Sequence, residues 1–185
     1  MSPQDSTPGG SAKRYYGKYR GLVIENIDPL QLGRVMLQCP DVFGDTPASW
    51  AMPCVPAAGM QSGIFIVPPI ESQVWVEFEQ GNPDYPIWTG GFWGSASDVP
   101  SMATAPPAIP PGQNIVLQST GENMIIISDS APTPGTGGIV LKSTSGAMIV
   151  INETGIYIDN GQGASITLIG PTVAVNESAL TIVGG

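Results

Sequence analysis

The chain has 185 residues, of which 42% are apolar and only 11% are charged. Its formal net charge of −9 disfavours nucleic-acid backbones and anionic membranes as partners. The 24 glycines and 19 prolines argue against a helical protein, and the apolar content excludes wholesale disorder. These values favour an all-β protein whose surface is covered by uncharged polar residues or by copies of the same chain.

The first residues lack the apolar core of a signal peptide, and no run approaches the roughly 18 apolar residues of a membrane span. We therefore expect assembly in the cytoplasm. Residues 1–14 are rich in Ser, Pro, Gly and Gln, so they are predicted to be flexible. Five of the six basic residues precede position 35, which makes this end either a site for an acidic partner or a solvated face. The six are Lys13, Arg14, Lys18, Arg20, Arg34 and Lys142.

Residues 15–93 contain β-like runs separated by turns rich in Gly, Pro, Asn and Asp. The predicted strands cover residues 15–27, 33–40, 49–56, 63–69, 72–80 and 87–94. The prolines of the third run mark an edge strand. Five or six strands with a turn every eight to twelve residues predict a small barrel or sandwich, without choosing between an OB-type barrel and another small barrel.

Residues 94–113 contain five prolines and small polar residues, which is typical of a linker. Its PPAIPP core is predicted to be extended and semi-rigid. A stiff spacer of this kind separates the barrel-like part from the last third of the chain.

Residues 114–185 form eight short runs in which apolar residues alternate with other residues. The runs are NIVLQST, NMIIISD, GGIVLKST, AMIVINE, TGIYIDN, ASITLIG, PTVAVNE and ALTIVGG. Eight equivalent positions are predicted to share one face: Ile115, Ile125, Ile139, Ile149, Ile156, Ile166, Val173 and Leu180. A sustained short period is typical of stacked β units, none of which buries its apolar face alone. Residues 128–138 interrupt the pattern and are predicted to form a protruding loop.

Candidate chemical groups are few, because the chain contains no histidine. Glu77 and Glu79 are two apart in a predicted strand and resemble a paired-carboxylate site, but we interpret them as a solvated strand face. Asp41, Asp45 and Asp84 lie in predicted loops, where Asp usually forms turns rather than a metal site. We therefore predict no catalytic residue, no cofactor and no metal.

Four aromatic residues near the end of the barrel-like part form either a stacking platform for bases or sugars or packing against a core or a protein partner. They are Trp75, Trp88, Phe92 and Trp93. The negative net charge favours packing. Cys39 and Cys54 lie in neighbouring predicted strands, and we interpret them as two small buried apolar residues, with a cross-strand disulfide as the alternative.

The segments GLVIENIDPLQLGRVMLQCP, SWAMPCVP, GIFIVPP and QVWVEFEQGNPDYPIWTGGFW resemble the OB-fold domain of contractile-tail baseplate spikes. These are the phage baseplate assembly protein V (gpV) family, the VgrG proteins of type VI secretion and the spikes of extracellular contractile injection systems. The eight C-terminal runs resemble the trimeric β-helix of that family, in which three chains wind around one axis as a needle. The resemblance covers residues 17–93 and 114–185.

The resemblance implies an all-β protein with an OB-fold barrel at residues 15–93 and an intertwined trimeric β-helix at residues 114–185. It implies a non-enzymatic homotrimeric spike that binds a trimeric baseplate hub through its OB end. It further implies a phage-tail-like particle that drives the spike through a target envelope, with transient membrane contact, when a sheath contracts. The alternative is a carbohydrate-binding OB/β-solenoid fibre that recognises a receptor.

The sequence also departs from members of that family. It has no lysozyme-like domain and no fused hub domain, which implies a separate hub protein and no peptidoglycan cleavage. Without histidine, an iron-binding His-x-His tip is excluded, and a PAAR-repeat tip protein is expected to cover the apolar C-terminal residues. These are Ala179, Leu180, Ile182 and Val183. Glu71 stands where family members often carry Gly.

Overall fold

The computed structural model describes residues 13–104, 114–133, 136–177 and 179–183. Most of the predicted flexible N-terminus and the PPAIPP core of the predicted linker lie outside these ranges. The chain divides into two compact units, residues 1–94 and 95–185. Nearly all regular structure in both units is β-sheet, as predicted. No helix in the described ranges is long and apolar enough to cross a membrane.

The described residues of the first unit, which we call the barrel unit, form seven strands and one four-residue helix. They are β1 (Tyr19–Glu25), β2 (Met36–Gln38), α1 (Pro40–Phe43), β3 (Met52–Pro53), β4 (Ala58–Gly59), β5 (Ser62–Gly63), β6 (Gln73–Phe78) and β7 (Pro86–Phe92). Five strands form one sheet in the order β2-β1-β6-β7-β3, in which only the β3–β7 pair is parallel. β4 and β5 form a separate small hairpin.

The two edges of this five-stranded sheet meet through isolated bridges. Val35, next to β2, and Ala51, next to β3, exchange two backbone hydrogen bonds with N···O distances of 3.2 and 2.8 Å. Gln38 and Pro47 form a second bridge. β3 therefore is an edge strand, as its proline indicates, and the bridges join the two edges of the sheet at two points, so that it curls into an OB-type barrel.

The barrel core follows from the alternation in β6. Val74, Val76 and Phe78 are buried, while Trp75 and Glu77 lie half-buried on the outer face, as the period of two predicts. The buried core cluster consists of Val23, Val35, Leu37, Cys39, Ala48, Ala51, Val74, Val76, Phe78 and Trp88.

The predicted fourth strand at residues 63–69 is wrong. Residues 64–69 belong to no strand, and the short β4–β5 hairpin precedes them. The physical reason is that the barrel edges are already joined at Val35 and Ala51, so the run pairs with no strand among the residues that the structure describes. The side chains of Ile64, Phe65 and Ile66 consequently remain exposed.

In the second unit, which we call the sheet unit, the part that the structure describes forms eight strands and a four-residue helix. They are α2 (Ser101–Thr104), β8 (Asn114–Gln118), β9 (Met124–Thr133), β10 (Thr136–Lys142), β11 (Met148–Asn152), β12 (Gly155–Asp159), β13 (Ser165–Ile169), β14 (Thr172–Val175) and β15 (Leu180–Val183). Each strand pairs antiparallel with its neighbours in the chain, so the order runs from β8 to β15. All eight predicted runs are therefore confirmed as strands.

The described part of the predicted linker is not extended. It contains a 3-10 turn at Ala96–Asp98 and the helix α2, which lies against β8. The Asn114 side-chain amide donates a hydrogen bond of 2.9 Å to the Met102 carbonyl. This contact makes α2 part of the sheet unit.

The predicted loop at residues 128–138 also needs correction. β9 and β10 extend through it, pairing Gly138 with Ser128 and, after a register shift, Thr136 with Thr133. The ladder is irregular there, which explains the broken alternation, but the strands continue on both sides of the shift. Residues 134 and 135 lie outside the described ranges.

Glu71 provides a stability prediction. Its φ is 70°, and it follows Ile70 in a turn closed by a 3.1 Å hydrogen bond from the Ser72 amide to the Pro69 carbonyl. Positive φ at the third residue of such a turn favours glycine. Glu71→Gly should therefore raise the free energy of unfolding of the barrel unit by about 1 kcal/mol, measured by urea denaturation.

Ile70→Gly is the matched control, since residue 70 has no positive φ, and it should lower stability through backbone entropy. A Glu71→Gly variant less stable than the unchanged protein would contradict this account of the turn.

Candidate functional site

One face of the eight-stranded sheet is apolar at two positions of every strand. The first row across the strands contains Ile115, Ile127, Ile139, Ile151, Ile156, Leu168, Val173 and Ile182. The second row contains Leu117, Ile125, Leu141, Ile149, Ile158, Ile166, Val175 and Leu180. We call these two rows of eight the apolar face.

The eight positions that the sequence predicts to be equivalent all lie on the apolar face, one in each strand. They alternate between the two rows because the strands are antiparallel. The sequence argument missed the other eight residues, although a signal was present. In each run the residue two places before or after the chosen one is also apolar, and a period of two puts both on the same face.

Within the described residues, nothing covers the apolar face. Its leucines and isoleucines are between 37% and 61% exposed, and Val173 and Val175 are half-buried. Soluble monomers rarely expose a contiguous apolar patch that crosses an entire sheet. The face therefore needs a partner of matching apolar character.

The opposite face has a different composition. Near β8 to β11 it is closed by its own chain, with Ile126, Val140 and Val150 buried and Met102 of α2 packed on them. In β12, β13 and β14 the central residue on this face is Tyr157, Thr167 and Ala174, respectively, instead of Ile or Val. Most of this face is covered or polar, although Ile169 and Val183 on it are 49% and 66% exposed, so the continuous exposed apolar surface is the apolar face.

Glycine allows successive turns of the sheet to pack closely. Gly161 has a φ of 73°, and a Cβ there would lie 2.8 Å from the backbone N of Ala147 and from the carbonyl O of Ser145. Only glycine permits this approach of two backbones. Close packing of turns adds contacts along the side of the sheet and makes it stiffer.

The two glutamates that resembled a paired site are separated by the fold. Glu77 lies in β6 and forms an ion pair with Lys18, with 2.8 Å between the Lys18 Nζ and the Glu77 Oε1. The same Nζ donates a hydrogen bond of 2.9 Å to the Thr89 hydroxyl. Glu79 begins a 3-10 turn instead of continuing the strand, so the predicted common face is wrong. The chain turns there toward Asn82-Pro83. Glu77 is therefore a structural ion-pair partner on the outer face of the barrel.

Asp28 and Arg34 form the more buried ion pair of the barrel unit. The Arg34 guanidinium donates to the Asp28 carboxylate from Nε and from a terminal nitrogen, and the bond from the terminal nitrogen is 2.6 Å long. The backbone amides of Leu30 and Leu32 donate to the same carboxylate. The Arg34 hydrogen bonds, followed by the backbone amides, hold the pKa of Asp28 well below its usual range. This carboxylate fixes the turn between β1 and β2.

The loop aspartates do not converge on a site. Asp41 lies in α1, Asp45 in the loop after it, and the Asp84 amide donates to the Asn82 side chain at 3.2 Å. Among the described residues, no group of three His, Cys, Asp or Glu side chains is placed to hold a metal ion.

The four aromatic residues are divided between two faces. Trp88 is a core residue whose indole N–H donates to the Gly33 carbonyl at 3.2 Å. Trp75 and Phe92 contact each other on the outer face, with ring centroids 4.6 Å apart and planes tilted by 35°, and the Arg20 guanidinium lies over both rings. Trp93 is exposed. A continuous platform of all four is therefore excluded, and the packing interpretation is correct for Trp88.

The two cysteines are free thiols, so the disulfide alternative is wrong. Cys39 is buried, and that burial, together with the nearby Asp41 charge, raises the pKa of its thiol. Cys54 is exposed, which contradicts the interpretation of both residues as buried.

Two family models match the chain. Residues 19–93 match the type VI secretion system/phage-baseplate injector OB domain. Residues 114–181 match the phage baseplate V C-terminal trimerisation domain, and this range contains every residue of the apolar face except Ile182. A search of curated proteins returned no match.

The Asp28–Arg34 pair predicts how the barrel unit responds to acid. The Asp28 pKa is lower in the folded than in the unfolded chain. The contribution of the pair to the free energy of unfolding is therefore fully present above about pH 4, the ordinary carboxyl pKa, and is lost as the pH falls below that value. Asp28→Asn should lower the unfolding temperature by several degrees at pH 7 and should have a smaller effect at pH 3. Calorimetry at both pH values measures this.

Asp45→Asn is the matched control, because Asp45 is an exposed loop aspartate. It should leave the unfolding temperature unchanged at pH 7. An Asp28→Asn effect that is equally large at both pH values would contradict the electrostatic role of the pair.

Proposed function

The chain belongs to the gpV-like family of phage baseplate spikes, and we propose that it serves as the central spike of a contractile injection machine. In this proposal three copies join through their apolar faces around one axis. The resulting trimer links a baseplate hub to a tip protein and passes through the target envelope when a sheath contracts.

The apolar face is the observation that carries the proposal. Burying a Leu or Ile side chain completely contributes about 1.5–3 kcal/mol, so covering a side chain that is near half exposed contributes about 1 kcal/mol. Two rows of eight then supply on the order of 15 kcal/mol per chain before the entropy cost of association. A trimer places three such faces around one dry core, in agreement with the trimerisation domain that the sequence matches.

The hydrogen bonding of the sheet suits a load-bearing shaft. Each inner strand pairs with a strand on either side, so β8 and β15 are the two edge strands of the sheet in the described part of the chain. Eight strands at a spacing of about 4.8 Å extend on the order of 40 Å. Bending such a shaft would break many ladder hydrogen bonds together, which is why we assign it the transmission of axial force.

We assign the partners from the two ends of the chain. The OB barrel is proposed to bind a separate trimeric hub protein. The last strand, β15, exposes Leu180, Ile182 and Val183 beside a free strand edge, and a PAAR-type tip protein that covers them would protect this edge from aggregation. Both matching families are structural baseplate components, so we propose a non-enzymatic role in a phage-tail-like particle that assembles in the cytoplasm.

Substitution on the two faces of β13 tests the trimer. Ile166→Asp places three carboxylates at one level of the proposed core, and an uncompensated buried charge costs several kcal/mol per ion. We expect Ile166→Asp, and likewise Ile149→Asp, to abolish the trimer in size-exclusion chromatography and to remove an SDS-resistant band. Thr167→Asp, on the opposite face of the same strand, is the matched control and should remain trimeric.

A trimer that survives Ile166→Asp but not Thr167→Asp would show that the assignment of the two faces is reversed. The hub and tip assignments are tested separately, by co-expression with the products of neighbouring genes. A trimer that binds glycans and associates with neither product would favour the carbohydrate-binding fibre instead.

A further inference from the structure

The run from Ile64 to Val67 in the barrel unit has the composition of a strand but lacks a partner. Its β-branched and aromatic residues favour a sheet. Within the described residues, the amides of Phe65, Ile66 and Val67 donate no backbone hydrogen bond, while the Ile64 amide donates to Ala57 at 3.0 Å. Backbone donors without partners are normally satisfied by another strand or by water.

The same run exposes large apolar side chains. Ile64 is 47%, Phe65 72% and Ile66 62% exposed, and Met60 at the tip of the β4–β5 hairpin is 95% exposed. Ile64, Phe65 and Ile66 border a groove of about 580 Å³ whose other lining includes Leu32 and Met52, and Met60 lies in the hairpin turn next to it. None of the described residues that line this groove is charged. We call these six residues the barrel patch.

The barrel anchors this run at Phe65 and at the residues that follow it. A Cβ on Gly33 would lie 3.2 Å from the Phe65 ring, so that ring rests directly on the β1–β2 turn. Val67 packs against the barrel core, and the Asn26 side chain donates to the Pro68 carbonyl at 3.0 Å. The exposed middle of the run is therefore presented on an anchored segment, which lowers the entropy cost of binding.

We propose that the barrel patch binds the barrel unit of a neighbouring copy in the homotrimer, with the free amides of the run pairing across that contact. The inference rests on the trimer of the proposed function, because a shaft trimer holds three barrel units at an effective concentration of about millimolar.

Charge favours a second copy as the occupant. Each copy carries a net charge of −9, so surfaces that meet within a homotrimer must avoid like charges. The patch meets this condition because its lining is uncharged. Interfaces of permanent homo-oligomers are also the more apolar class, which fits an uncharged patch of large apolar side chains.

Photo-crosslinking tests the contact directly. A benzoylphenylalanine at position 65 in the full chain should yield covalent dimers and trimers on a denaturing gel after irradiation. The same residue at position 16 is the matched control. Tyr16 is equally exposed, at 72%, but lies before β1, whereas the turn that contacts Phe65 follows β1. Crosslinks at position 65 and none at position 16 are expected.

Hydrogen exchange gives a second measurement. The amides of residues 65–67 should exchange at least tenfold more slowly in the trimer than in the Ile149→Asp chain. The amides of β6 should remain protected in both, which shows that the barrel is folded in the variant.

The outcomes separate this inference from the proposed function. A trimer that gives no crosslink at position 65 and fast exchange at residues 65–67 would overturn the inference alone. A crosslink that forms only to an added hub protein would overturn it in favour of another partner. A monomeric unchanged chain would overturn the inference and the proposed trimer together.

Discussion

The structure depends on one constraint, which is that a sheet with an apolar face must cover that face. The sheet unit is a meander of eight antiparallel strands, and α2 covers part of only one side of it. The other side carries Ile, Leu or Val at two positions of every strand and has no second layer within the described residues of the unit. Association of chains through that side satisfies the constraint, and the match to a trimerisation domain indicates that three chains associate.

The barrel unit satisfies the same constraint within one chain. Its sheet curls until Val35 meets Ala51, so the apolar side chains of β6 face a closed interior. The two units thus use one alternating pattern in two ways, closure within a chain and closure between chains. The barrel patch is the exception, because closing the barrel leaves the run at Ile64 without a strand to join.

The sequence predicted the sheet unit well because alternation determines both the strand and the face of each residue. All eight runs are strands, and Ile149 and Ile166 lie on the face assigned to them. Prediction failed where pairing decides the outcome. The run at residues 63–69 has strand composition without a partner, and the end of β6 at Glu79 depends on the following turn. The exposure of Cys54 likewise follows from barrel closure, which local pattern does not encode.

The mass of the purified full-length chain tests the central claim most directly. If the apolar faces of three copies form one core, light scattering coupled to size-exclusion chromatography should give three times the chain mass of 19.2 kDa, with no monomer at micromolar concentration. A mass of one chain under the same conditions would contradict the account, because the apolar face would then be stable in water without a partner.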